Sequence, residues 1–505
     1  MQSRPRSRSR AIAVVARVLA LTTVLAGTAG VGDAAPPRIG GRLEGLGVVR
    51  LDHPSRRQRP LARIDLWAEQ AVTSRLRWKL ATIGRWGGTL ENATGAGLID
   101  YGHTFQNVDP SLQLDEAWVE WLGDSFDVKI GNQRFTWGRL DGVKPNDQLN
   151  PLRYYDPFIT DENDSKIAVP SLALSYYPPS AWSSRLAEEP RVTLVWQPIA
   201  VPFLFPEQDE RWFPPAASPD GALFIPDLVI ERDGRPVQLC PCLIDVEQQL
   251  ENAPPPARRF DNGNVGLRVS GRTRGVDWAA VFYDGYDPAA SFSVPISLTI
   301  DGASAGVLQG TANTKLRPAY LRYQSLGADA STVFGGLTTR FEAAWRFRRP
   351  YPRDVRRLSD DVLESPQAVD ALLAGETVTV DAFVQRDAVE WGVGADYLVD
   401  GWLPLVELYQ IILLHNDTPL LIRDVDSRLT ASLRKHWLAD RLETKLVGLW
   451  GIESGYELVR LETTYAVTDA LELRAGVLGI WGNAFSLIGE FKKNSEAYAR
   501  IRYSF

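Results

Sequence analysis

AYARIRYSF, residues 497–505, alternates without a break. Ala497, Ala499, Ile501, Tyr503 and Phe505 form one set; Glu496, Tyr498, Arg500, Arg502 and Ser504 form the other. Successive side chains of a strand point to opposite faces, so this is a strand with one apolar face and one charged face. An alternating strand that reaches the final residue needs a neighbour on each side to hold it, and a closed barrel supplies both.

The same pattern recurs upstream. Leu471, Leu473, Ala475, Val477 and Trp481 oppose Glu472 and Arg474; Val459, Leu461, Thr463 and Tyr465 oppose Arg460, Glu462 and Thr464. Leu442, Leu446 and Trp450 oppose Glu443 and Lys445, and Leu429, Ala431, Leu433 and Trp437 oppose Arg428 and Arg434. Each segment has about ten residues with aromatics near its ends, as a tilted strand crossing lipid requires. Hydrocarbon offers no partner to a backbone N–H or C=O, so β structure crosses it only as a closed barrel.

Connection lengths alternate as well. LAD (438–440), TDA (468–470) and VDG (399–401) are short turns, whereas GNAFSLIGEFKKNS (482–495), HNDTPLLIRDVD (415–426) and residues 348–386 fall on the other side. ESGY (453–456) is a tight turn on the loop side. Continued to the start of the pattern near Arg42, the count reaches about eighteen, an even number as single-chain bacterial barrels have. The expected fold is all-β: a transmembrane antiparallel β-barrel of about 16–18 strands with long extracellular loops. One loop spans about 198–262; another, about 348–385, carries a short helix within LSDDVLESPQAVDALLAG (358–375).

Composition agrees with that class. The chain is only 45% hydrophobic yet holds 16 Trp, 16 Tyr and 41 Gly, a bias towards β structure and interfaces. Beyond the first thirty residues no apolar run reaches the roughly 18 residues of a membrane helix, because WLPLVELYQIILLH (402–415) is broken by Pro404 and Glu407. MQSRPRSRSR followed by AIAVVARVLALTTVLAGTAG and the small-residue site at Gly32 and Ala34 reads as a secretory signal peptide over 1–34, followed by one barrel domain over 35–505. A membrane-anchoring helix is the alternative for that leader. Its removal takes five Arg and one Asp with it and moves the net charge of −7 further negative, which argues against nucleic acid as a partner.

The two cysteines, Cys240 and Cys242, form a lone C-x-C. It lacks the second pair of a zinc site, and in an oxidising compartment it can close as a disulfide that staples the loop. No cofactor or metal is expected. The four His, at 53, 103, 415 and 436, form no nucleophile–base constellation, so no enzyme is expected. A plugged transporter would need a long N-terminal plug, yet strand patterns begin near Arg42.

A barrel of this size is wide enough for a water-filled interior, so function should lie on the inner face. Alternation assigns Arg340, Glu342, Arg428, Arg434, Lys445, Arg460, Arg474, Arg500 and Arg502 to it. Either these charges pair across strands and stiffen the wall, or the arginines form stations for an anionic solute.

One stretch departs from alternation. LQLDEAWVEWLGDSFDVKIGNQRFTWGRLDGVKPNDQLNPLRYYDP (112–157) becomes Gly-rich and polar in its second half. Gly131 permits close backbone approach, Gln133 can bridge two backbone groups, and Asn150-Pro151 starts a turn. The loop after the strand either braces the wall or narrows the pore. Glu116, Ala117, Trp118, Gly131, Gln133, Trp137, Gly138, Asp147, Asn150 and Pro151 resemble the shared pattern of a family of uncharacterised proteobacterial outer-membrane proteins. More distantly the stretch is similar to alginate-export and porin-like barrels. Asn132 and Arg139 depart from the pattern, which favours a basic and an acidic residue there. The resemblance implies an outer-membrane channel or export component working beside an inner-membrane pump, and no reaction. Phe505 resembles the terminal aromatic signal read by the outer-membrane assembly machinery, with outer-membrane lipid as the surrounding partner. A structural or adhesive surface barrel without an open pore is the alternative reading.

Overall fold

The computed structural model describes residues 36–51, 60–88, 91–92, 111–154, 156–179, 187–206, 210–213, 221–225, 229–232, 235–238, 241–251, 260–304, 306–354 and 356–505. The leader over 1–34 and Cys240 lie outside the described residues; Cys242 is buried and disulfide-bonded.

Eighteen strands form one sheet that closes on itself. They are β1 (Arg38–Arg50), β2 (Leu61–Ala71), β3 (Leu76–Gly87), β4 (Ser111–Leu122), β5 (Phe126–Gln133) and β6 (Val169–Tyr176). Then come β7 (Glu188–Gln197), β8 (Asn264–Thr273), β9 (Val276–Tyr286), β10 (Arg322–Phe334), β11 (Leu337–Pro352) and β12 (Phe383–Tyr397). The last are β13 (Trp402–Leu414), β14 (Val425–Trp437), β15 (Leu442–Gly451), β16 (Tyr456–Ala466), β17 (Leu471–Gly482) and β18 (Glu496–Ser504). Each pairs antiparallel with its neighbours, and β18 returns to β1 in a register running from Arg42↔Ser504 to Arg50↔Glu496.

The alternation read from AYARIRYSF is the wall. Ile501, Tyr503 and Phe505 face outward and are exposed, while Glu496, Tyr498 and Arg500 face inward and are buried. Around the outside, Leu43, Ile130, Leu326, Phe341, Val393, Val406, Leu446, Leu461 and Val477 make an apolar band. Trp86, Trp345 and Trp481 border it at one end; Trp121, Phe126, Tyr397, Trp402, Trp437 and Tyr503 border it at the other. This is the surface a hydrocarbon layer with two aromatic girdles covers.

The second girdle marks the end with short turns. Gly335-Gly336 joins β10 to β11 with both residues at positive φ, the two-residue geometry that matches strand twist. At the opposite end the loops build a separate five-stranded sheet from Gly221–Ile225, Cys242–Leu250, Ser291–Ser304, Val307–Ala319 and Val378–Asp381. Two short helices, Arg356–Leu363 and Pro366–Leu373, accompany it. The Ser291–Ser304/Val307–Ala319 hairpin has no counterpart in the strand pattern read above. It rises beyond the wall, so no lipid imposes alternation on it.

Phe505 extends the seam by one more pair. Its N–H donates to the Gly41 carbonyl at 3.0 Å and its carbonyl accepts from the Gly41 N–H at 2.9 Å. Removing Phe505 deletes this reciprocal pair, each bond contributing about 1 kcal/mol net. The expected outcome is a lower urea midpoint and less heat-modifiable, folded band on gels; an unchanged midpoint would show that the seam closes without it.

Candidate functional site

The chain between β5 and β6, residues 134–168, does not leave the barrel but folds back inside it. Its root is built by the motif residues. Gly131 has φ +128°, and a Cβ there would strike the Ala117 carbonyl, so only glycine permits this approach of β5 to β4. Gln133, 1% exposed, donates through Nε2 to the carbonyls of Lys129 and Ser171 at 3.1 and 2.9 Å, bridging two backbone groups. β5 ends there, short of the Phe135–Trp137 stretch that alternation alone would have added.

Asn150 closes the root. Its Oδ1 accepts from the Phe135 N–H at 2.6 Å, and its Nδ2 donates to the carbonyls of Gln133 and Ile167 at 3.0 and 2.8 Å. The Pro151 carbonyl accepts from the Ile167 N–H at 2.9 Å, pinning the outgoing to the returning chain. Asp147 accepts from the Trp137 N–H at 3.2 Å and is ion-paired with Lys166. Trp137 packs with Leu149, Val195, Tyr283 and Tyr323, filling the lumen beside β7 to β10.

From this root a first lobe, 138–146, reaches across to β10–β13. Buried carboxylates meet its backbone. Glu342, 0% exposed, accepts from the N–H groups of Arg139, Leu140 and Asn146 at 2.8, 3.1 and 2.9 Å. Glu407 accepts from Asp141 and Gly142, both at 2.7 Å. Arg139 pairs with Asp329. Gly138 has φ +97°, and a Cβ there would fall on the Glu342 carboxylate.

A second lobe, 156–164, reaches β16–β18, β1 and β2. Here the polarity is reversed: the lobe supplies acids and the wall supplies arginines. Asp161 lies 2.8 Å from Arg474 and 3.0 Å from Arg502; Asp164 lies 2.8 Å from Arg42 and 3.2 Å from Arg63. Arg460 and Arg500 donate to the carbonyls of Phe158 and Ile159 at 2.5 and 2.9 Å. Burial alone would raise both carboxyls; for Asp161 it is outweighed by Arg474, Arg500 and Arg502, and for Asp164 by Arg63 and Arg42. Both therefore sit below the ordinary aspartate range. Ile159 packs with Leu46, Val48, Trp212, Leu458 and Leu478. The lobes are tied together by Lys144, whose Nζ is 2.6 Å from both oxygens of Glu162.

The nine wall residues assigned from sequence thus divide into groups. Glu342 holds the first lobe; Arg474, Arg500 and Arg502 hold the second, with Arg502 also 2.8 Å from Glu44 across the seam. Arg340 pairs with Asp396, and Arg428 with Asp426 at 3.0 Å. Arg434, Lys445 and Arg460 stand together on β14–β16. The residues sequence reasoning missed are Asp161, Glu162 and Asp164. The signal was present as FITDENDS (158–165), an acidic run without alternation beside arginine-rich strands.

No family model matches the sequence, and no curated protein matches it. Among solved structures, the chain is similar to Salmonella typhi OmpF in complex with daunomycin, at 11% identity and TM-score 0.38, covering 93% of this chain and 97% of that one. It is similar to Acinetobacter baumannii OccAB1 at 8% identity and TM-score 0.46, covering 94% and 96%. A mutant of the Rh. blastica porin gives 10% identity and TM-score 0.38, covering 93% and 100%. At such values the fold is read from the barrel's own strand pairing. A closed antiparallel barrel with an apolar outer band is an outer-membrane protein, and the chain resides in the bacterial outer membrane.

Gly138→Ala and Glu342→Ala should each loosen the first lobe, the second by leaving three N–H groups unpaired at about 1–3 kcal/mol apiece. The expected outcome is new trypsin cleavage after Arg139 or Lys144 in a folded barrel; continued resistance would show that this anchor is dispensable. For the second lobe, the depressed carboxyls contribute stability above the unfolded aspartate pKa of about 3.9. That stability is lost as pH falls through their lower folded values. Protease resistance at Arg153 should therefore be flat from about pH 8 to pH 5; a loss near pH 6 would contradict the arginine anchoring.

Proposed function

We propose that the protein is an outer-membrane channel whose passage is narrowed by the 134–168 segment. The observation that carries this reading is the span of that segment: one lobe on β10–β13, the other on β16–β2, joined by Lys144–Glu162. A loop that only braced its own strands would need no anchors on distant parts of the wall. The first lobe ends against β14, where a Cβ on Gly142 would lie 3.3 Å from Thr430 Oγ1.

The passage follows the inner faces of β14 and β15. Much of the rest of the wall is covered: Trp137 and Leu149 lie over β7–β10, Val143 packs with Tyr351 and Tyr409 on β11–β13, and Ile159 and Trp212 lie over β16–β1. From Thr430 to Arg434, and from Glu443 to Leu449 on the inner face, side chains are half-buried, with none fully covered. Sequence gave no cargo, and the geometry supports water-soluble solutes small enough to pass between the cross-bar and that wall. The short-turn end faces the periplasm in this arrangement and the five-stranded sheet faces outward.

The test is single-channel recording of the refolded full chain in planar bilayers. Stepwise conductance is expected, rising when Glu162→Gln unties the two lobes. A folded barrel that stays silent would overturn the channel reading in favour of a structural or adhesive surface barrel, for which the outer sheet would be the contact surface.

A further inference from the structure

Arg434 and Lys445 are directly opposed across β14 and β15, and Arg460 stands beside them on β16, opposite Val447. Like charges in directly opposed positions destabilise a sheet, so this arrangement works against folding. On its other side Lys445 faces Glu462 across β15 and β16, so the two like charges are only partly offset. Among the described residues, none of the three forms an ion pair.

The adjacent carboxylates are already engaged. Glu443 lies 3.3 Å from His436 Nε2, while Glu462 accepts from the Tyr498 hydroxyl at 2.6 Å and lies 3.7 Å from Arg474. Arg460 is oriented by its Nη1 bond to the Phe158 carbonyl, so the second lobe fixes one member of the group. Elsewhere on the lumen wall Arg340, Arg428, Arg474 and Arg502 each have a carboxylate partner. Three cations against the two carboxylates Glu443 and Glu462 leave a net positive charge on this stretch of wall.

We propose that Arg434, Lys445 and Arg460 form a binding station for a small oxyanion, phosphate or carboxylate, that passes through the channel. This rests on the channel reading and assigns it a solute class. Planar guanidinium groups match two oxygens at once, and a neighbouring ammonium adds a point charge without fixed geometry. An oxyanion at this position would supply the counter-charge that the wall withholds, and would relieve the Arg434–Lys445 repulsion.

The experiment is the zero-current reversal potential of the refolded full chain in a KCl gradient, with inorganic phosphate, malonate or glycerol then added to one side. The intact protein should favour chloride over potassium and be blocked by phosphate and malonate but not by glycerol. Block by only one of the two would assign the station to phosphate or to carboxylate. Replacing all three residues by Gln should reverse the sign of the potential and abolish block. Lys435→Gln removes one charge from the same strand on its outer face, beside Trp402 and Trp437, and should leave the potential unchanged. Lys445→Gln alone, which removes one of the three charges and relieves the Arg434–Lys445 repulsion, should give a partial shift in a barrel that folds. A conducting protein without anion preference, or a triple variant that keeps it, overturns the station while the channel stands. A silent intact barrel overturns both.

Discussion

Everything in this molecule follows from the cost of an unpaired backbone group in hydrocarbon. A strand in lipid cannot leave its N–H and C=O groups bare, so the last strand must meet the first. The β18–β1 register provides that meeting, and the Phe505–Gly41 pair finishes it. Once the sheet is closed, its outer face is committed to lipid and its inner face is freed for charge. Glu44 and Arg502 show both consequences at the seam: they pair inside while Leu43 and Tyr503, one residue away on each strand, face outward.

The interior solves a second problem of the same kind. A segment of thirty-odd residues without regular strand must bring its own backbone into the lumen, and much of it is buried there. The wall meets these groups with ions: Glu342 and Glu407 accept backbone N–H groups, while Arg460 and Arg500 donate to carbonyls. Hydrogen bonds to charged groups are stronger than neutral ones, and a buried charge without such partners would be costly. The charge on the inner face thus holds the cross-bar or pairs across strands, and only a small part is left for a solute.

Sequence reading carried far on the wall and less far within it. The strands ending in Trp437, Trp450, Trp481 and Phe505 were legible because lipid on one side and water on the other impose a period of two. Gly131, Gln133 and Asn150 were legible as a root because each has a backbone demand that few residues meet. The acidic run 161–164 was passed over, since nothing local tells Asp161 that Arg474 lies 313 residues away on the facing wall. The outer hairpin at 291–319 was missed for the opposite reason: outside lipid, alternation is optional.

Sequence by itself determined the class of fold, the facing of each strand and the aromatic boundaries of the lipid band, because these depend on neighbours one or two residues apart. Only the tertiary structure decided which arginines ion-pair with the 134–168 segment and that Arg434 and Arg460 on β14 and β16 have no ion pair. That division depends on which strands the two lobes reach when the barrel closes. Charges of the same type, alternating in the same way along the chain, acquire different roles through what lies across the lumen from them.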